Sequence, residues 1–129
     1  MSVKPSQRRM TRILLAEDDD AMRGFLSRAL DRAGHDVVAL SDGQEAYERL
    51  QAEPFDLLLT DIVMPVMDGI ELARRASEID PRMKIMFITG FAAVTLESDP
   101  AALDETRVLS KPFHLRELVD AVERLLEEG

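Results

Sequence analysis

Three acidic side chains stand where two apolar segments of the chain end. Glu17 and Asp18 follow the run Ile-Leu-Leu-Ala at residues 13–16, and Asp61 follows the run Phe-Asp-Leu-Leu-Leu-Thr at residues 55–60. Each run has the length and composition of a buried strand. In an open α/β sheet, the carboxyl ends of neighbouring strands meet at the edge where ligands bind. Three carboxylates so close together repel one another unless a cation lies between them, so the spacing predicts a cation site.

Length and composition favour a single domain. The chain has 129 residues, of which 46% are hydrophobic, enough for one sizeable core and too few for a second domain of ordinary size. Because it contains no cysteine, it can form no disulfide, thiolate metal site or thiol nucleophile. Every apolar stretch is strand-sized or carries charges at helical spacing, so neither a membrane span nor a signal peptide is predicted. We therefore expect a cytoplasmic protein with no membrane partner.

Charge and histidine content limit the classes of partner and ligand that are expected. The formal net charge is −9, whereas contacts to nucleic-acid phosphates need clustered Lys and Arg. We therefore expect no nucleic-acid partner, and a protein or a cation instead. The two histidines offer no ligand cluster, because His35 lies in a helix-to-strand turn and His114 at the start of the last helix. Both are predicted to be surface residues.

Strands and helices alternate along the chain. Asp20 is expected to cap the first helix and Gly34 to end it. Five strands alternating with helices imply a parallel sheet with helices on both faces. The pattern breaks between Thr89 and Arg107, where Phe91 opens a stretch without a helical stripe, so the fourth helix is predicted to be irregular, shortened or mobile. Predicted strands span residues 12–16, 37–40, 55–60, 84–88 and 107–109, and the other predicted helices span residues 21–33, 44–51, 70–79 and 115–126.

Four more short motifs follow the ends of predicted strands. Met-Pro and Asp-Gly at residues 64–65 and 68–69 follow the third strand, Thr-Gly at residues 89–90 follows the fourth, and Lys-Pro-Phe at residues 111–113 follows the fifth. Taken singly, each motif suits an ordinary turn, cap or loop. Together with the acidic pair and in this order, the set over residues 11–127 resembles the CheY-like receiver domains of two-component response regulators. The resemblance implies a flavodoxin-like, doubly wound α/β fold with strand order 2-1-3-4-5.

The resemblance also implies a reaction for the acidic cluster. Asp61 would be the phosphoacceptor, whose carboxylate attacks a phosphohistidine on a histidine kinase or a histidine phosphotransfer protein. Glu17, Asp18 and Asp61, with the backbone carbonyl of Val63, would hold one Mg²⁺, a hard cation that prefers oxygen ligands. The metal would neutralise charge on the transferring group, which is the main task of a protein in phosphoryl transfer.

Other residues would bind the phosphoryl group or respond to it. By the same resemblance, Lys111 would pair with one phosphoryl oxygen and Thr89 would donate its hydroxyl to another. Many receivers carry an aromatic residue three positions before this lysine, but Val108 stands there in this chain, so coupling through an aromatic flip is unavailable. Phosphorylation is then expected to order or disorder the segment that follows Thr89. The predicted switch or partner surface consists of Phe91, Val108 and Phe113.

The ends of the chain suggest a stand-alone receiver. Residues 1–10 lack apolar periodicity and predict a mobile extension, and no output domain is expected after the last helix. The output would therefore be a protein contact that depends on the state of Asp61. Residues 14–20, 87–92 and 108–115 further resemble the CpdR type of receiver from alphaproteobacteria. That type implies a regulator that, when unphosphorylated, helps the ClpX unfoldase and its protease engage substrates or adaptors.

The same residues bear on two other functions. A phosphorelay carrier would pass phosphate between histidine phosphotransfer proteins without any effector contact, and the sequence does not separate it from a switch. A Mg²⁺-dependent hydrolase of the haloacid-dehalogenase kind needs a second Asp two residues after its nucleophile, and Val63 stands at that position. Catalysis is therefore expected to be limited to phosphorylation and dephosphorylation of Asp61 itself, so the chain is predicted not to be an enzyme.

Overall fold

A five-stranded parallel sheet forms the centre of the computed structural model, which describes residues 11–90 and 108–127. The strands lie in the spatial order β2-β1-β3-β4-β5, which confirms the predicted topology. In chain order, the strands are β1 (Arg12–Ala16), β2 (Asp36–Leu40), β3 (Leu57–Asp61), β4 (Lys84–Thr89) and β5 (Val108–Ser110), and the described helices are α1 (Asp20–Arg32), α2 (Gly43–Ala52), α3 (Gly69–Ile79) and α4 (Leu115–Glu127).

Helices cover both faces of the sheet, because alternate residues of each strand point to opposite sides. On one face, Leu14 and Leu58 pack with residues of α2 and α3. On the other face, Leu15 and Leu59 pack with residues of α1 and α4. Strands β1, β3 and β4 are buried almost throughout, whereas β2 and β5 at the two edges are only partly buried. The continuous apolar runs in the sequence are therefore the interior strands.

The start of α1 corrects one prediction. The N-cap is Asp19, not Asp20. Asp19 has extended backbone angles, and its side chain accepts hydrogen bonds from the backbone N–H groups of Ala21 and Met22. Asp20 is the first helical residue and forms an ion pair with Arg23 at 2.5 Å. A carboxylate satisfies the free N–H groups of the first turn only from the residue that precedes the helix.

The strand that carries Asp61 begins later than predicted. β3 runs from Leu57 to Asp61, so Phe55 and Asp56 precede it. Phe55 is nevertheless buried in the core beneath α2 and α3. The carboxylate of Asp56 accepts the Arg12 backbone N–H at 2.8 Å, and the Asp56 N–H donates to the Arg12 carbonyl at 2.8 Å. These two bonds tie the entrance of β3 to the start of β1 and fix the register of the two strands.

The burial of His35 is a second correction. The residue is only 7% exposed, and its Nε2 atom lies 3.7 Å from a carboxylate oxygen of Glu123 in α4. The turn at Gly34, where φ is 101°, directs the chain back under α4. A residue in a short turn is usually exposed, but here a helix from the far end of the chain covers it. His114 is exposed, as predicted.

Several predictions concern residues outside the described ranges. The predicted N-terminal extension at residues 1–10, the predicted irregular helix between Thr89 and Arg107, and Phe91 all lie outside the described residues. Among the helices that the structure does describe, none combines the length and the hydropathy needed to span a bilayer.

Candidate functional site

The carboxylates of Glu17, Asp18 and Asp61 meet at the carboxyl edge of the sheet. One oxygen from each lies within 4.8 Å of the others. Glu17 directly follows β1, and Asp61 is the last residue of its neighbour β3. Parallel pairing of these strands brings the two positions side by side, as the sequence predicted. Glu17 and Asp61 are buried, whereas Asp18 is exposed.

Lys111 joins this cluster from the loop after β5. Its Nζ atom lies 3.3 Å from an Asp61 carboxylate oxygen and 3.4 Å from a Glu17 carboxylate oxygen. The backbone N–H of Lys111 donates to the carbonyl of Thr89 at 2.8 Å, which extends the pairing of β4 and β5 by one residue. The lysine thus places one positive charge against two of the three carboxylates. Asp61 and Lys111 are 50 residues apart in the sequence, and the sheet brings them into contact.

Thr89 ends β4 beside the same edge. It is fully buried, and Asp61 pairs with Ile88 directly before it. Val63, whose carbonyl was predicted as a metal ligand, donates its backbone N–H to the Asp61 carboxylate at 3.4 Å. The sheet therefore brings Thr89 and Lys111 to the same edge as Asp61. The loop after β3 places the Val63 backbone beside the Asp61 carboxylate.

The predicted switch residues do not form one surface. Val108 is partly buried and packs against the core beneath α2 and α3. Phe113 is partly buried and packs against the core beneath α1 and α4. The two side chains therefore lie on opposite faces of the sheet, and Phe91 lies outside the described residues.

Two residues that the sequence analysis missed position the acidic groups. Arg23 of α1 donates from Nη1 to the Glu17 backbone carbonyl at 2.9 Å. Gly69, interpreted from sequence only as part of a turn and cap, lies against the Asp61 backbone, and a Cβ there would overlap the Asp61 carbonyl oxygen. Its N–H donates to the Ile62 carbonyl at 2.8 Å. A glycine at the start of the helix after Asp61 is the sequence signal that could have indicated this close approach.

Burial and charge set the protonation of the cluster. Burial raises the pKa of Glu17 to about 7, the backbone N–H of Asp19 acts against this shift, and the charge of Asp61 adds to it. Burial also acts to lower the pKa of Lys111, but the charges of Asp61 and Glu17 outweigh it and raise that pKa above 10.5. The lysine therefore stays protonated at neutral pH, whereas Glu17 exchanges a proton near pH 7.

The donor set fits Mg²⁺. Three carboxylates offer oxygen ligands within 4.8 Å of one another, which is the ligand chemistry that hard divalent cations require. Glu17 and Asp61 are held by strand ends, and Asp18 faces solvent. The exposed side leaves room for water or a substrate oxygen, as Mg²⁺ sites usually do.

Magnesium binding is expected to strengthen as the pH rises through about 7. Ligation needs ionised Glu17, which is roughly one-tenth ionised at pH ~6 and roughly nine-tenths ionised at pH ~8, given its pKa of about 7. The apparent Kd for Mg²⁺ should therefore fall about tenfold between these pH values, measured from the Mg²⁺ dependence of the melting temperature. Glu17→Gln should bind more weakly and lose most of the pH dependence. Equal affinity of the wild type at both pH values would contradict the assignment.

The metal-free protein should show the matching trend in stability. The folded-state pKa of Glu17 is raised from its ordinary value of 4.5 to about 7, so the folded state holds its proton more tightly than the unfolded state. The contribution of this group to the free energy of unfolding therefore falls as the pH rises from about 4.5 to about 7.

The sequence matches a known family over most of its length. Residues 13–123 match the family model described as the response regulator receiver domain. This chain belongs to the response regulator receiver family. Aspartate phosphorylation is general in receivers, and receivers bind Mg²⁺ at an acidic pocket. The predicted family and fold are thereby confirmed.

Individual relatives agree with this assignment. The response regulator receiver protein CpdR of Brucella abortus (strain 2308) is 67% identical to this receiver over 117 residues, which make up 91% of this chain and 98% of that protein. The sensor kinase CckA of the same strain is 35% identical over 118 residues, which make up 90% of this chain but 12% of CckA. A crystal structure of a response regulator receiver protein from Sinorhizobium medicae WSM419 superposes with a TM-score of 0.84 at 36% identity and covers 92% of this chain and 96% of that one.

Proposed function

We propose that this receiver accepts a phosphoryl group on Asp61 from a phosphohistidine of a partner protein and that phosphorylation switches a protein contact. The observation that carries the proposal is the placement of the Asp61 carboxylate 3.3 Å from Lys111 Nζ and within 4.8 Å of two further carboxylates. This arrangement supplies a nucleophile, a positively charged hydrogen-bond donor and metal ligands at one edge of the sheet.

Each residue has a distinct part in the proposed transfer. A carboxylate oxygen of Asp61 forms the new bond to phosphorus, the phosphorus–nitrogen bond to the donor imidazole breaks, and the imidazole nitrogen keeps the electron pair. The Lys111 ammonium, released from Asp61 as that oxygen reacts, pairs with a phosphoryl oxygen, and the Thr89 hydroxyl donates to another. Glu17, Asp18 and Asp61, with the Val63 carbonyl, would hold Mg²⁺, which supplies charge neutralisation for the transferring group.

Catalysis by this chain is proposed to be limited to phosphorylation and dephosphorylation of its own Asp61. Water attacks the phosphorus of the acyl phosphate, the bond between phosphorus and the Asp61 oxygen breaks, and inorganic phosphate leaves, which regenerates the Asp61 carboxylate and resets the switch. The lifetime of the phosphorylated state then sets how long the partner contact is altered.

The proposed output is control of regulated proteolysis. Support comes from the 67% identity to CpdR over nearly the whole length of both chains, because the CpdR type implies a receiver that primes the ClpX unfoldase for its substrates or adaptors when unphosphorylated. A histidine kinase phosphorelay would switch this contact off. The phosphoryl dianion adds charge beside an already acidic cluster, and a few kcal/mol of differential interaction is enough to shift most of the population.

Binding to purified ClpX before and after phosphorylation tests the proposal. The protein is loaded from a phosphorylated histidine phosphotransfer protein, and its affinity for ClpX is measured by a pull-down or by anisotropy. Wild-type protein should bind at least about tenfold more weakly once phosphorylated. Asp61→Ala should bind like the unphosphorylated wild type whether or not the donor is present.

Two outcomes would oppose this output. Failure of both Asp61→Ala and unphosphorylated wild type to bind ClpX would remove the proteolytic role. Equal ClpX binding in both states would remove the switch, whereas return of the phosphoryl group to the donor protein without any ClpX binding would instead identify a phosphorelay carrier.

A further inference from the structure

Val66 has a backbone conformation that β-branched residues rarely adopt. Its φ is 72°, in the left-handed region where the Cβ atom crowds the backbone. The Met67 N–H donates to the Pro65 carbonyl at 2.8 Å, which closes a γ-turn around Val66. The form of this turn with positive φ is the rare and strained one. Val66 is also 81% exposed, more than any other large hydrophobic residue in the described part of the chain.

The flanks of the loop hold this strained tip in place. Met64 and Met67 are each only 8% exposed and belong to the core beneath α2 and α3. Gly43, the first residue of α2, lies so close to Met67 that a Cβ there would overlap the Met67 carbonyl. Asp68 caps α3 by accepting the N–H of Glu71 at 2.8 Å. Because both sides are anchored, the tip cannot relieve its strain by moving into the core, and its side chain stays in solvent.

The tip lies close to the phosphoacceptor. Gly69 contacts the Asp61 backbone, and Val66 is three residues before it, so its Cα is within about 11 Å of Gly69. A protein interface of ordinary size covers roughly 800 Å² on each partner, a disc of roughly 16 Å radius. A protein that places a reactive group on Asp61 therefore covers Val66 as well, whereas a small phosphodonor does not need to.

We propose that Val66 is a preformed apolar contact for the phosphohistidine-bearing protein that phosphorylates Asp61. This inference rests on the proposed function. Val63, which is 56% exposed, and the exposed Pro65 extend the apolar surface beside it. The partner should present an apolar depression next to its histidine. A contact already fixed in its bound conformation loses little entropy on association, and an apolar side chain buried near the centre of an interface contributes strongly to affinity.

The test compares two phosphodonors on the same variants. For Val66→Asn, kcat/KM for transfer from a phosphorylated histidine phosphotransfer protein should fall about tenfold, mainly through KM. The rate with acetyl phosphate should not change. The melting temperature should rise by about 2–4 °C, because asparagine tolerates positive φ. Val66→Leu, which keeps an apolar side chain, should restore transfer from the protein donor to within about threefold of the wild type.

A matched control and three outcomes separate the possibilities. Ile79→Asn removes a 41% exposed apolar side chain from the last residue of α3, about 15 Å along the helix from Gly69, and should leave both reactions unchanged. If Val66→Asn accepts phosphate from the protein donor at the wild-type rate, this inference is overturned and the proposed function is not affected. A loss of both reactions in Val66→Asn would also overturn it, because the residue would then support the site rather than the partner. A wild-type protein that accepts phosphate from neither donor would overturn the proposed function, and this inference with it.

Discussion

Replacing Asp61 with asparagine is expected to abolish phosphorylation and, in metal-free buffer, to make the protein more stable. The amide cannot form the acyl phosphate, so the loss should be complete with any donor. The gain in stability has an electrostatic cause. Asp61 is a buried carboxylate with oxygens of Glu17 and Asp18 within 4.8 Å, and one ammonium group, that of Lys111, faces two of these charges. Removing one negative charge relieves repulsion and desolvation while Lys111 keeps its pair with Glu17.

The expected rise in melting temperature is about 3–6 °C in the presence of a chelator. The stabilisation that Mg²⁺ gives the wild type should largely vanish in Asp61→Asn, because a ligand is lost. Asp42→Asn is the matched control. Asp42 caps α2 by accepting the Glu45 N–H at 2.8 Å, and asparagine caps equally well, so this variant should accept phosphate and melt like the wild type. A less stable Asp61→Asn variant would contradict the electrostatic account.

The second large effect is expected from adding one methyl group to Gly69. In Gly69→Ala, the new Cβ would overlap the Asp61 carbonyl oxygen and crowd the Ile62 backbone. These are main-chain atoms at the end of a central strand, so they cannot rotate away. The variant should lose about 3 kcal/mol of stability by chemical denaturation. Folded molecules should also accept phosphate from acetyl phosphate more than about tenfold more slowly, because any backbone shift that relieves the overlap also displaces Asp61.

Gly24→Ala provides the matched control for this substitution. Gly24 lies inside α1, and a Cβ there would meet only the Arg28 side chain, at 3.4 Å. Alanine is favoured over glycine in a helix interior, so this variant should gain about 0.5–1 kcal/mol. Its phosphorylation rate should equal that of the wild type. Gly69→Ala with a wild-type denaturation midpoint would show that the contact at Asp61 is not tight.

The core of the site could be predicted because sheet topology decides it. Glu17, Asp61 and Lys111 are distant in sequence, but each lies at or just after the end of a strand, and parallel strands bring their carboxyl ends to one edge. The strand pattern did not predict that Val108 and Phe113 lie on opposite faces of the sheet. Residues in a strand and in the loop after it can face either side of the sheet, and the choice depends on the local backbone path.

Features that depend on tertiary packing could not be predicted from the sequence. His35 sits in a short turn, but α4 covers it from the far end of the chain. Asp19 and Asp20 are chemically identical candidates for one cap, and only the backbone angles separate them. Nothing in the residue type of Val66 indicates positive φ, since β-branched residues disfavour it. The flanking anchors at Met64 and Met67 impose that conformation, and they act only once the core has formed.

The measurement that tests the central proposal most directly is the mass and the site of phosphorylation. Purified wild-type protein is incubated with Mg²⁺ and acetyl phosphate, its intact mass is recorded, and the acyl phosphate is then reduced with borohydride before peptide mapping. We expect a gain of one phosphoryl group and conversion of Asp61, and no other residue, to homoserine. Phosphorylation mapped to a different residue, or none from either acetyl phosphate or a phosphorylated histidine phosphotransfer protein, would contradict it.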